Sequence, residues 1–345
     1  MDTDKNSNIS IQAKIVRQLI NIATSDHLIG PGIKKGTFRR RMVEPSWKCP
    51  SGYSLLKARM KKFDMELLSP PEVNSGCVVL QLHGGGYIGK MRNVYRSFAK
   101  YYSDMRGGIK VLTIDYRVAP ENPFPAALED AVAAYKWLLG LGYKGSDIIV
   151  AGDSAGGGLS LALAMYLKDH QESLPAALVL MSPWTDLTAS GSSYETNYEN
   201  DPLFGNTRES MIYNGEYIGA NEPDNPYISP LFGDFKGLMP MLFQAGSVEM
   251  LLSDSTDAAK KAEEAGCNVK LHVYDGMFHV FQMGLDLIPE SREAWNEVEE
   301  YLRRVYNIRR EPEGTIVKKV KTRRKEAEDR TRKTLLSFLK QELSK

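Results

Sequence analysis

From residue 76 onward, short apolar runs alternate with stretches of helical periodicity, and this alternation leaves the chain very few architectures. The runs are Cys77-Val-Val-Leu-Gln-Leu82, Lys110-Val-Leu-Thr-Ile-Asp115, residues 148–151, Ala177-Leu-Val-Leu-Met181, Met239-Pro-Met-Leu-Phe-Gln-Ala245 and Asn268-Val-Lys-Leu-His-Val-Tyr274. Among them, helical spacing predicts helices over 93–106, 125–139, 159–169, 253–265 and 291–306. Strands that are apolar along most of their length are buried on both faces. Alternated with helices, they imply a mostly parallel central sheet covered on both sides, an α/β class. Ligands in such sheets bind beyond the carboxyl ends of the strands, so the strand-to-helix loops are where chemistry is expected.

Two regions stand outside the alternation. Residues 9–24 set Ile11, Ile15, Leu19 and Ile22 at helical spacing, and residues 54–62 read as a second short helix. Between them lie Gly30, Pro31, Gly32 and the basic run Arg39-Arg40-Arg41. With no strand signal before Gly76, residues 1–64 are expected to contribute N-terminal helices to a cap over the site. Residues 187–232 then interrupt the main domain, 65–306, with Asp201-Pro-Leu-Phe204, Pro223, Pro226, Pro230 and tyrosines at 194, 198, 213, 217 and 227. An insertion of this length and aromatic content is expected to complete the cap, with a helix near 207–217.

The loops carry a coherent set of reactive groups. Gly152-Asp153-Ser154-Ala155-Gly156 follows an apolar run and opens a helical stretch, matching the G-x-S-x-G turn that lifts a serine hydroxyl above a sheet. Ser154 is therefore the candidate nucleophile. Upstream, His83-Gly84-Gly85-Gly86-Tyr87 follows the first run. Three consecutive glycines suit an oxyanion hole, where backbone N–H groups must face a developing negative charge with no side chains in the way. Gly85, Gly86 and Ala155 would supply donors, helped by Gly84, and His83 reads as an organiser of the loop.

The base is sought downstream, because a nucleophile on such a turn is followed along the chain by an acid and then a histidine. Of the five histidines, His279 lies in the loop after the last apolar run, whereas His27 is N-terminal, His170 ends a helix and His272 lies within a run. For the acid, Glu249 falls directly after the run ending at Ala245 and is preferred. Asp254, at the start of the next helix, has an alternative explanation in the helix dipole, and Asp275 is the weakest choice.

With Asp115-Tyr-Arg-Val-Ala-Pro-Glu121 and Phe124-Pro-Ala-Ala-Leu-Glu-Asp130, these two loops make four motifs in fixed order. Over residues 65–306 the chain resembles the hormone-sensitive-lipase-like family of α/β-hydrolases, of the microbial carboxylesterase and acetyl esterase type. The resemblance implies a capped α/β-hydrolase fold and a Ser154, acid, His279 triad hydrolysing short-chain acyl esters through an acyl-enzyme. The family acid is commonly aspartate, so Glu249 is a departure. An amide or N-acetyl hydrolase is the alternative within enzymes. A non-catalytic small-ligand receptor on the same fold is a more distant one, because those relatives have lost the catalytic histidine and this chain keeps one. Asp115, Tyr116, Arg117 and Glu121 are expected to brace the sheet edge, and Asp130 and Asp153 to support the loops from behind.

Composition narrows the partners. A net charge of +1 over 345 residues gives no reason to expect nucleic acid, and three widely spaced cysteines suggest neither a disulfide framework nor a zinc site. No metal, nucleotide or flavin motif is present, so no cofactor is expected, only a small-molecule ester, with homo-oligomerisation left open. The polar N-terminus and the lack of a bilayer-length apolar run point to the cytoplasm. Residues 307–345 read as a basic tail ending in a stripe of Leu335, Leu336, Phe338, Leu339 and Leu343. That tail is suited either to packing on protein or to peripheral contact with an anionic membrane.

Overall fold

The computed structural model describes residues 9–25, 28, 30–38, 43–105, 107–213 and 215–306. The basic run at Arg39-Arg40-Arg41, His27 and the 307–345 tail lie outside the described residues. Eight strands form one sheet: β1 (Ser54–Arg59), β2 (Asp64–Ser69), β3 (Val78–Leu82), β4 (Lys110–Asp115), β5 (Ile148–Asp153), β6 (Ala177–Met181), β7 (Met241–Gly246) and β8 (Val269–Tyr274), in the order β1-β2-β4-β3-β5-β6-β7-β8. All pairings from β4 to β8 are parallel, while β1 and β2 are antiparallel to their neighbours.

The six expected strands are present, and their continuous apolar character has the expected cause. On β3, Val78, Leu80 and Leu82 face one hydrophobic cluster while Val79 faces another, and Ile148 and Val150 alternate with Ile149 and Ala151 in the same way on β5. The first cluster is closed by α4 (Ala126–Gly140), α5 (Ala155–Asp169) and α7 (Leu252–Glu264). The second is closed by α3 (Asn93–Asp104) and α8 (Pro289–Val305), where Phe98, Tyr102 and Trp295 meet edge to face.

Three expectations need correcting. Residues 54–62 are not a helix but β1 and the turn into β2, in which the Met60 N–H donates to the Phe63 carbonyl at 2.9 Å. The segment Ser54-Leu-Leu-Lys-Ala-Arg59 is made of good helix formers, and pairing with β2 overrides that propensity. Two strands therefore precede Gly76, and residues 54–69 extend the sheet edge. Among the described residues of 207–217, the helical structure is a 3₁₀ turn at Met211–Tyr213. The N-terminal helix α1 (Ile11–Ala23) forms as expected, capped by the Ser10 hydroxyl. It is followed by α2 (Gly30–Lys34), and among the described residues the insertion carries one short α-helix, α6 (Ser193–Thr196).

Candidate active site

β3 and β5 are neighbours, with Leu82 paired to Gly152, so the glycine loop and the serine turn leave the sheet side by side. α5 begins at Ala155, immediately after Ser154 and earlier than the sequence suggested. Ser154 takes φ 52° and ψ −124°, a conformation few side chains adopt, and its N–H is fixed by the Met181 carbonyl at 2.9 Å. The neighbouring glycines are required by close approach. A Cβ on Gly152 would lie 2.2 Å from the Gly156 oxygen, and one on Gly156 would lie 2.1 Å from the Leu82 oxygen.

Two further loops converge on this turn. His279 Nε2 lies 2.9 Å from Ser154 Oγ, and His279 Nδ1 lies 2.6 Å from Glu249 Oε2. A carboxylate at Nδ1 fixes the proton there and leaves Nε2 to accept from the serine hydroxyl. Glu249 is wholly buried, and its second oxygen accepts the Gly246 N–H at 2.9 Å, so the loop after β7 orients its own acid. The ring of Phe204, from the insertion, packs against the His279 ring with centroids 5.1 Å apart.

The other acid candidates are occupied elsewhere. Asp254 Oδ1 accepts the N–H groups of Thr185 and Asp186, each at 2.8 Å, and so pins the start of the insertion to α7. Burial pushes its carboxyl well above the usual range, and the nearby Asp186 adds to that push. Asp275 is exposed and accepts from the Ser247 hydroxyl at 3.1 Å. His170 sits at the end of α5 against the Tyr166 carbonyl, and His272 lies in β8 beside Glu297.

The glycine loop differs from expectation at one donor. The Gly84 N–H donates to Asp153 Oδ1 at 3.0 Å, so this amide holds the loop to the serine turn and is not free to face a substrate oxygen. Gly85 (φ 128°) and Gly86 (φ 63°) turn the chain in conformations that favour glycine, and neither amide is spent on a backbone partner among the described residues. The Ala155 amide, at the first helical position, has no intrahelical partner. His83 is buried behind the loop. Its Nδ1 lies 2.8 Å from the Gly84 carbonyl and its ring stacks on Tyr116 at 4.0 Å, while the Tyr116 hydroxyl donates to the His83 carbonyl at 2.6 Å. Arg117 pairs with Asp130 and Glu129, each at 2.8 Å, and not with the exposed Glu121.

Residues that sequence reasoning did not single out also reach the site. Asp201 is buried at the base of the insertion, accepting the N–H groups of Met250, Leu203 and Phe204 at 2.7, 2.7 and 3.0 Å. Burial pushes its carboxyl up, and these donors together with the nearby His279 pull it back. Asn197 lies one turn earlier. No motif marks either residue, because the partners that tie them to the loop after β7, Met250 for Asp201 and Ser247 and Glu249 for Asn197, are distant in sequence. Among the described residues no cluster of metal-ligating side chains occurs, and no helix is long and apolar enough to cross a membrane.

A model of the α/β-hydrolase-fold family matches residues 79–283. An acetyl-hydrolase of Streptomyces hygroscopicus is 38% identical over 233 residues, covering 68% of this chain and 77% of its own. An esterase of Acinetobacter venetianus is 36% identical over 224 residues, covering 65% and 74%. Among solved structures, an esterase from the bacterial hormone-sensitive lipase family superposes with a TM-score of 0.74 at 35% identity, covering 86% of this chain and 98% of the other. The chain belongs to the hormone-sensitive-lipase-like family of α/β-hydrolases. Within that family frame, the loops after β3, β5, β7 and β8 are the ones that carry His83 to Gly86, Ser154, Glu249 and His279 here.

Proposed function

We propose that the protein is a carboxylic ester hydrolase acting on short-chain acyl esters through an acyl-enzyme on Ser154. The observation that carries this reading is the continuous hydrogen-bonded relay from Ser154 through His279 to Glu249, at 2.9 and 2.6 Å, beside amides of the glycine loop. In this mechanism His279 takes the Ser154 proton as the oxygen attacks the ester carbonyl, and the Gly85, Gly86 and Ala155 amides receive the oxyanion. Collapse of the tetrahedral intermediate expels the alcohol, which takes the proton from His279. Water, deprotonated by the same imidazole, then releases the acid. Glu249 holds the imidazole in the working tautomer and stabilises its cation. Each oxyanion donor contributes on the order of 3 kcal/mol to such a step. A short acyl group is favoured because the relative with the highest identity given above is an acetyl-hydrolase.

The cap is part of the same proposal, with α1, α2 and the 187–232 insertion covering the site. Ile9 and Ala13 pack with Met277 and Phe278 beside His279, and the Thr24 hydroxyl donates to the Pro202 carbonyl at 2.6 Å, which supports that placement. The test of function is hydrolysis of p-nitrophenyl acetate and butyrate. Ser154→Ala is expected to lower kcat by about 10⁶-fold. Turnover by that variant at even a hundredth of the normal rate would exclude Ser154 as nucleophile.

A further inference from the structure

The proposed acid is held by more than its own loop. Ser193, Asn197 and Asp201 recur at four-residue spacing along the base of the insertion, and all three reach the main chain between Ser247 and Ser253. Asn197 Nδ2 donates to the carbonyls of Ser247 and Glu249 at 3.1 and 2.8 Å. Asp201 Oδ2 accepts the Met250 N–H at 2.7 Å. The Ser193 hydroxyl donates to the Met250 carbonyl at 2.6 Å and accepts the Ser253 N–H at 2.8 Å. The peptide unit joining Glu249 to Met250 is thus gripped at both polar atoms by side chains of the insertion. Its carbonyl oxygen goes to Asn197 and its N–H to Asp201.

Holding that peptide fixes ψ of Glu249, and with it the direction in which the side chain leaves Cα relative to the chain that follows. The other oxygen of Asp201 accepts the Phe204 N–H, and Phe204 packs on the His279 ring, so the same carboxylate reaches both partners of the relay. Satisfying the polar groups of a buried loop does not by itself demand partners from a distant insertion. Here the loop after β7 takes three of them from one.

We infer that Asn197 and Asp201 are positioning residues for Glu249: they fix the Glu249–Met250 peptide so that the carboxylate meets His279 Nδ1, and the insertion thereby sets the rate of the reaction as well as covering the site. The inference rests on the proposed roles of Ser154, His279 and Glu249. A small displacement of a reacting group costs up to about a hundredfold in rate without changing substrate contacts. Asn197→Ala and Asp201→Asn are therefore expected to lower kcat on p-nitrophenyl acetate by about tenfold to a hundredfold, with KM changed less than about threefold.

The experiment uses the full chain and a double-mutant cycle with Glu249→Gln. If Asn197 and Asp201 act through Glu249, Asn197→Ala and Asp201→Asn cost little further kcat once Glu249 is already Gln. The downfield proton resonance of the His279–Glu249 hydrogen bond is expected to be lost or broadened in Asn197→Ala while the fold, followed by thermal unfolding, persists. Asn197 is half-buried, so its variant keeps the question answerable if Asp201→Asn fails to fold. Losses that multiply in full with Glu249→Gln, or wild-type kcat in Asn197→Ala beside an inactive Ser154→Ala, would overturn the positioning role alone. An active Ser154→Ala would overturn the underlying reading and the positioning role with it.

Discussion

Glu249 and Asp254 are both buried carboxylates close together in sequence, yet they point to different work. Glu249 has one oxygen on His279 and one on the Gly246 amide, whereas Asp254 has Oδ1 on the amides of Thr185 and Asp186, just before the insertion. On the proposed mechanism Glu249→Gln lowers kcat by about 10⁴-fold, since the wrong imidazole tautomer is then favoured. Asp254→Asn keeps the same oxygen acceptor, and the native carboxyl already titrates well above the usual range. It is expected to retain kcat within about threefold, with the melting temperature nearly unchanged. Steady-state kinetics on p-nitrophenyl butyrate and a thermal melt separate the two. Collapse of the Asp254 variant alone would reverse the assignment. Sequence order brought both residues forward, and the backbone turn at Gly246 makes the geometric distinction. Gly84 illustrates the opposite limit: the sequence lets it help Gly85 and Gly86 as a donor, and the structure gives its amide to Asp153 instead.

Among the elements, the parallel strands were legible because burial on both faces leaves a run of apolar residues that nothing else explains. β1 was not, because an edge strand with one open face carries no such run and its Leu, Lys, Ala and Arg residues suit a helix equally well. The insertion resisted reading for a related reason. Its order comes from contacts to loops far away in sequence, and among the described residues its own regular structure amounts to α6 and short 3₁₀ turns. The junction of β4 with α4 shows how one motif holds two elements together. Arg117, just beyond β4, donates through Nε and Nη2 to Asp130 on α4, and Asp130 is only 2% exposed. Arg117→Met leaves that carboxylate buried without its cation, and is expected to cost about 3–5 kcal/mol of stability, measured by urea unfolding. Asp130→Asn in the same background should recover part of the loss, because the uncompensated charge is then removed.

For the molecule as a whole, the sheet gathers the reactive loops, and on the proposed reading the N-terminal segment closes over them. α1 is tied to α8 by Ser10, whose N–H and hydroxyl donate to Glu290 at 2.7 and 2.8 Å, and Ala13 with the preceding Ile9 packs beside the His279 loop. Removing residues 1–25 uncovers Tyr274, Met277 and Phe278, with an expected cost of about 2 kcal/mol of stability and a fall in kcat of about tenfold. Denaturant titration and kinetics on the shortened chain check both, and unchanged kcat would separate α1 from the cap. The grip of Asn197 and Asp201 on the loop after β7 also limits how this chain can be recombined with its relatives. On the proposed cap reading, an insertion grafted from a relative at the obvious junction, the end of β6, would discard the latch along with the part that faces substrate. A chimaera cut after Phe204 keeps the latch native and exchanges only what lies beyond it, so new specificities should be reachable from that junction with the rate preserved.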